Sequence, residues 1–388
     1  MSELTILDQT YVANTYARFP VELVSGKGSQ VYDETGKRYI DMGSGIGVTS
    51  FGFGDQTWVQ AVTAQLGKLQ HTSNLYYTEP CARLAQILCE RTGMKKVFFS
   101  NSGAEANECA IKTARKYAAA RKGHDCFTII TLRNSFHGRT LTTLAATGQD
   151  HYHEDFQPLT PGFVHAPAND LEAVKALAHT CKTAAVMIEC IQGEGGVVPL
   201  SRDFVQELAA FAQSEDILLI VDEVQTGNGR TGELYAYMNY GIRPDLISTA
   251  KGIGGGLPLG ATLMGEKVEH ALQPGDHGST FGGNPVCCAG ALSIVNRLDD
   301  AFLSHVKTKG ELVATALTGA PGVEAVTGMG LMIGVKTVKP VSEVVKACME
   351  KGVLCLTAKD KLRLLPALNI PTELLQEAVE IIKAVCAI

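Results

Sequence analysis

A chain of 388 residues with 45% hydrophobic and 19% charged side chains has the composition of a folded globule, long enough for a large domain and a smaller lobe. A formal net charge of −6 without a basic block argues against a nucleic-acid partner, and apolar runs as short as Ile217 to Val221 argue against a membrane span. Eleven cysteines with no CxxC pair, behind an opening MSELTILDQTYVANTY that lacks a secretion-signal layout, point to free thiols and a cytoplasmic location.

In chain order, SGKGSQVYDETGKRYID (Ser25 to Asp41) carries a Gly-rich hairpin signal. From about Ser100 the chain alternates β-rich runs with helical stretches. The predicted strands are Cys126 to Leu132, Ala184 to Cys190, Ile217 to Glu223 and Leu246 to Ala250. Their continuous apolar character suits strands covered on both faces. The Ala-rich Glu105 to Lys122 and the periodic Asp203 to Ser214 predict helices between them. This alternation predicts an α/β layer with a mainly parallel sheet. The last quarter changes texture: VEAVTGMGLMIGVKT, the helical VSEVVKACMEK, a short strand near VLCL and a final amphipathic helix predict an α+β lobe. The expected division is residues 1–50 joining the small domain, 51–295 as the large domain and 296–388 as the rest of the small one.

Four patterns carry chemistry. Lys251, in STAKGIGGGLPLGA, follows a buried-strand run and enters a Gly-rich stretch. A lysine there is ordinarily a solvated boundary charge. At the carboxyl edge of a parallel sheet it is also an amine placed to form an imine with an aldehyde cofactor. Asp222 ends the apolar run ILLIVD, where an acid serves as a cap, a salt-bridge partner or a counter-charge to a protonated pyridine nitrogen. Gln225 follows on the next turn. Asn101-Ser102-Gly103-Ala104 precedes a helix and offers free N–H groups to an anion. Asn134 to Arg139 combines an aromatic ring at Phe136, able to stack on a planar group, with a guanidinium suited to a carboxylate. Donor-rich Ser279 to Asn284 and Arg363 in LRLLP complete the set. Taken singly, each has a plain structural reading. Together, in this order, they form the parts of a pyridoxal phosphate site.

With these residues in view, the sequence resembles the class III aminotransferases of the fold type I pyridoxal phosphate enzymes, above all those acting on N2-acetylornithine. The likeness runs nearly end to end, through NTYARFPVELVSGKG, FFSNSGAEANECAIKTAR, SFHGRT, QGEGGVVP, VDEVQTGNGRTG, STFGGNP and LRLLP. It implies a large domain with a seven-stranded, mainly parallel sheet, and pyridoxal 5′-phosphate as cofactor. By the same resemblance, Gly103 and Ala104 bind the phosphate and Phe136 stacks on the ring. Asp222 pairs with the ring nitrogen, Glu223 and Val224 complete that cofactor segment, Gln225 contacts the ring hydroxyl, and Lys251 is the catalytic lysine. Thr280 reaches the phosphate of a neighbouring subunit, implying a homodimer with shared sites. Tyr16, Arg139 and Ser279 line the substrate pocket, and Glu194 gates Arg363. Two departures fall outside these residues: Cys190 stands where the family often has Pro, and VTSFGFGD replaces an Asn-rich turn.

The implied reaction is a ping-pong transfer of a terminal amino group from N2-acetylornithine to 2-oxoglutarate. Ornithine, succinylornithine, 4-aminobutyrate and lysine-pathway amines are alternative donors. A nucleotide-dependent dehydrogenase is disfavoured because GSGIGV and GIGGGL both break the GxGxxG spacing. A non-catalytic relative is disfavoured by the intact lysine, acid, aromatic and phosphate residues. His151 and His153 lack a further ligand at metal-binding spacing and read as surface residues, so no metal site is expected.

Overall fold

The computed structural model describes residues 2–387. Its central sheet has seven strands, in the order Lys96–Ser100, Gly260–Met264, Leu246–Thr249, Leu218–Asp222, Thr183–Ile188, Thr128–Leu132 and Phe163–Ala166. Only Gly260–Met264 runs against its neighbours. The five strands from Leu246–Thr249 to Phe163–Ala166 pair in parallel.

The apolar runs exist because this sheet is buried on both sides. Every residue of Thr183–Ile188 and of Leu218–Asp222 is buried. Successive side chains of a strand point to opposite faces. Val186, Ile188, Leu219 and Val221 therefore join one core with Phe204, Val205 and Leu208 of the helix Arg202–Ser214. Ala185, Met187, Leu218 and Ile220 join a second core with Ala110, Ile111 and Ala114 of the helix Gly103–Lys122.

The predicted strands run one or two residues too long, because Cys190, Glu223 and Ala250 lie beyond the strand ends. The long helix begins at Gly103 rather than Glu105. Ser102 caps it by accepting a hydrogen bond from the Glu105 N–H, so Gly103 and Ala104 form the first turn. All the parallel strands thus deliver their exits to one edge, where α/β ligands are held.

The expected hairpin is a three-stranded meander, Leu23–Lys27, Gln30–Asp33 and Arg38–Asp41. Its last strand pairs in parallel with Val353–Leu354, tying the first fifty residues to the C-terminal segment. The strands Val323–Met329, Met332–Thr337, Leu356–Ala358 and Lys361–Leu364 build an antiparallel sheet beside the helices Asp300–Leu317, Val341–Glu350 and Thr372–Ala387. Among the described residues, no helix is long and apolar enough to cross a membrane.

Leu208 is fully buried where the helix Arg202–Ser214 meets the sheet. Leu208→Ala should cost about 2–5 kcal/mol, read as a lower denaturant midpoint at unchanged slope.

Candidate active site

The carboxyl edge of the sheet opens into a cavity of about 630 Å³. Its wall includes residues 101–104, Phe136, Arg139, Asp222, Val224, Gln225, Lys251 and Tyr16. Nine of the positions expected from sequence thus meet in one space: Gly103, Ala104, Phe136, Arg139, Asp222, Val224, Gln225, Lys251 and Tyr16. Tyr16 arrives from the N-terminal segment and is largely exposed.

Asp222 is the last residue of its strand and is 3% exposed, so its carboxylate needs protein donors. Oδ2 accepts from Asn107 Nδ2 at 2.8 Å and lies 2.8 Å from His137 Nδ1, while Oδ1 accepts from the Val224 N–H at 3.0 Å. Asn107 also donates to the His137 carbonyl, and Thr147 Oγ1 accepts from the His137 N–H. Burial pulls the His137 imidazole toward neutrality. The hydrogen bond to Asp222 and the Asp222 and Glu189 charges outweigh it, so its pKa is raised. Neither Asn107 nor His137 was singled out from sequence. Asn107 is four residues after Gly103, hence on the same helix face, and that spacing was the available signal.

The N–H groups of Gly103 and Ala104 donate to nothing among the described residues. They open a 20-residue helix onto the cavity, an arrangement that favours an anion. A Cβ on Gly103 would come within 2.6 Å of Val224 Cγ1, so only glycine lets the helix start approach Val224 this closely. Phe136 meets Tyr152 edge-on at 5.8 Å, and the Arg139 guanidinium lies 4.4 Å from the Tyr152 ring.

Lys251 stands just past the strand Leu246–Thr249 with a φ of 49°, a left-handed backbone that a side chain rarely adopts and that clusters at functional sites. Burial lowers its pKa; Glu194 opposes this, Arg363 adds to it, and Asp222 and Glu189 oppose it.

Beside the cavity lies a partly buried ion pair. Arg363, 4% exposed, donates through Nη1 to Glu194 Oε1 and, at 3.1 Å, to Gln225 Oε1. Gln225 Nε2 in turn donates to Glu194 at 3.3 Å. Burial works against the Glu194 charge, but the Arg363 guanidinium and these hydrogen bonds overcome it and hold the carboxyl below its usual range. Gln225, expected at a ring hydroxyl, here spends both ends of its amide on this pair.

Two sequence readings need correction, those of Glu223 and His153. Glu223 does not line the cavity. Its carboxylate accepts from Thr226 Oγ1 and from the Ala236 and Tyr237 N–H groups at 2.9 and 2.8 Å, so it organises the turn behind the strand. The physical reason is alternation: with Asp222 facing the cavity, the next side chain points away. Ser279 and Thr280 lie outside the cavity wall of their own chain, and Ser279 Oγ accepts from Asn101 Nδ2 of that wall at 3.1 Å. Finally, His153 is buried with Nε2 2.9 Å from the Leu144 carbonyl, and only His151 is exposed. Among the described residues, no cluster of three or more His, Cys, Asp or Glu side chains could hold a metal ion.

A sequence profile of the aminotransferase class-III family matches residues 11–386. Acetylornithine aminotransferase from Haemophilus ducreyi is 51% identical, with 98% of this chain and 97% of that protein covered. Its Methanocaldococcus jannaschii counterpart is 45% identical over 95% and 94%. Among solved structures, the ornithine aminotransferase of Toxoplasma gondii superposes with a TM-score of 0.94 at 31% identity, covering 99% of this chain and 94% of that one. The N-acetylornithine aminotransferase of Stenotrophomonas maltophilia gives 0.84 at 34%, covering 98% of each. This chain belongs to the class III aminotransferases, a family that works through pyridoxal phosphate.

The lowered pKa of Lys251 has a direct readout. In the apoprotein, borohydride trapping of an added aldehyde on Lys251, followed by peptide mass, should persist to lower pH than trapping on a surface lysine, whose amine titrates near about 10.4. An ordinary midpoint at Lys251 would contradict the buried setting.

Proposed function

We propose that this enzyme moves the terminal amino group of N2-acetylornithine to 2-oxoglutarate, giving N-acetylglutamate 5-semialdehyde and glutamate, a step of arginine biosynthesis. The observation that carries the substrate reading is the Arg363–Glu194 pair beside Lys251. Glutamate reacts at a carbon that bears a carboxylate; acetylornithine reacts at one that does not. Arg363 receives the carboxylate of glutamate. A buried guanidinium left alone with the other donor is costly, and Glu194 removes that cost by pairing with it. The exposed Arg139, stacked over Tyr152, and Tyr16 at the cavity rim suit the distal carboxylate and acyl end of the donor.

Pyridoxal 5′-phosphate fits the donor set. Gly103 and Ala104 would hold the phosphate at the helix start, Val224 and Phe136 would border the ring, and Asp222 would pair with the protonated ring nitrogen. When bound, the cofactor supplies an aldehyde that links to amines and a heterocycle that draws electrons from the bond being broken. Lys251 Nζ, made neutral more readily by burial, would hold the cofactor between turnovers and would take the proton from the amine-bearing carbon of the donor, then give it back as general acid. Asn107, His137 and the Val224 N–H hold the Asp222 carboxyl in place without water.

A homodimer with shared sites fits the exposed apolar side chains Leu75, Tyr77 and Phe281, with Tyr77 wholly exposed and Phe281 adjoining Thr280. In that assembly Thr280 serves the partner's phosphate site and Ser279 its substrate, which explains why neither lines the cavity of its own chain. Residues 1–50 and 296–388 act together as the small domain, with 51–295 carrying the cofactor.

The purified holoenzyme should be yellow, and borohydride should fix the cofactor covalently at Lys251. Lys251→Ala should abolish turnover while retaining some cofactor; near-normal steady-state turnover would sink the assignment. A panel of amino donors with 2-oxoglutarate, compared by kcat/KM, should rank acetylornithine above ornithine, succinylornithine and 4-aminobutyrate. Glu194→Ala should slow the acetylornithine half-reaction more than the glutamate half-reaction, and equal losses would count against the gate.

A further inference from the structure

Glu189 is a buried acid for which the reaction above has no use. It follows the strand Thr183–Ile188, is 5% exposed, and borders the same cavity as Asp222 and Lys251. No lysine or arginine pairs with it among the described residues. Its two oxygens go to two different loops. Oε2 accepts from the Phe136 N–H at 3.0 Å, and Oε1 accepts from the Gly193 N–H at 3.3 Å.

Those loops carry the two functions that must be kept in register. Phe136 is the aromatic wall of the cofactor pocket, and the residue after it, His137, holds Asp222. Gly193 immediately precedes Glu194, the partner of Arg363. The turn at Gly193 is tightly seated: a Cβ there would come within 2.5 Å of the Gln225 amide, and one on Gly195 within 2.6 Å of the Asn134 carbonyl. The second of these close approaches seats the Glu194 turn against the loop that carries Phe136. A single carboxylate thus ties the floor of the ring pocket to the base of the gate.

We propose that Glu189 is a positioning residue that couples the Phe136–His137 wall to the Glu194 turn, so that seating of the cofactor ring and discrimination between the two amino donors depend on one shared anchor. The inference rests on the assignment of this cavity to the cofactor and of Glu194 to the gate. Burial is the main influence on the Glu189 carboxyl and raises its pKa to about 7; His137 opposes this and Asp222 adds to it. An acid so costly to bury is hard to explain as filler. An acceptor pair of this shape is what two convergent N–H donors require, and glutamine offers only one carbonyl oxygen.

The test compares Glu189→Gln with wild-type holoenzyme, following both half-reactions and the visible circular dichroism of the bound cofactor, which reports ring orientation. The variant should lose about tenfold to a hundredfold in kcat/KM, the range for one hydrogen bond removed from a buried charged group. The loss should be unequal between acetylornithine and glutamate, and the dichroism band should change in sign or amplitude. Equal half-reaction rates within twofold of wild type and an unaltered band would overturn the proposal. Amide hydrogen exchange of wild-type holoenzyme gives a second test independent of the variant's folding. The Phe136 and Gly193 N–H groups should be protected, and exchange at the rate of exposed loop amides would also overturn it. Wild type that binds no cofactor, or turns over neither donor, would instead defeat the underlying functional assignment.

Discussion

A carboxylate at the end of a fully buried strand can persist only if the protein replaces its water, and at Asp222 that replacement organises everything around it. Asn107 reaches it from the first turns of the long helix, His137 from the loop after another strand, and Val224 from its own turn. Three separate pieces of chain are thereby drawn to one point. The same contacts place the helix start, with its two free N–H groups, at one end of the cavity and the Phe136 wall at another. The geometry that satisfies the acid also shapes the pocket.

Around that acid the site balances charges that would be unfavourable singly. Lys251 is deprotonated more readily by burial, while Glu194 and Asp222 resist the shift. Arg363 is buried and compensated by Glu194 and Gln225, and its Nε finds no partner among the described residues. A pair of this kind adds little to fold stability, because desolvating both ions offsets their attraction. What it provides is a choice between two arrangements that a substrate carboxylate can bias. Gly193 and Gly195 let the turn that bears Glu194 pack against Gln225 and Asn134 without steric conflict.

Legibility differed by kind of residue. Lys251, Asp222, Phe136 and the Gly103–Ala104 turn were readable because each sits at a strand end or helix start, and the hydrophobic pattern marks those places. Asn107, His137 and Glu189 were not, since a polar residue inside a helix, within a loop motif or after a strand has many ordinary uses. Glu223 was assigned to the cavity through its neighbours in the chain, and the alternation of side chains reversed that reading. His153 was judged by spacing alone, which carries no information on burial.

The amino-acid sequence by itself determined the alternating α/β layer, the buried sheet, the separate texture of the last quarter and the order of the chemical groups along the chain. These are local properties: periodicity, strand ends and turn chemistry are set by residues near one another. Only the tertiary structure decided that Arg363 meets Glu194 across 169 positions, that Asn107 and His137 share one carboxylate oxygen, and that Glu189 faces two loops at once. Such contacts depend on how strands are ordered in the sheet and on which way each side chain leaves the backbone, and neither is encoded in any single stretch of chain.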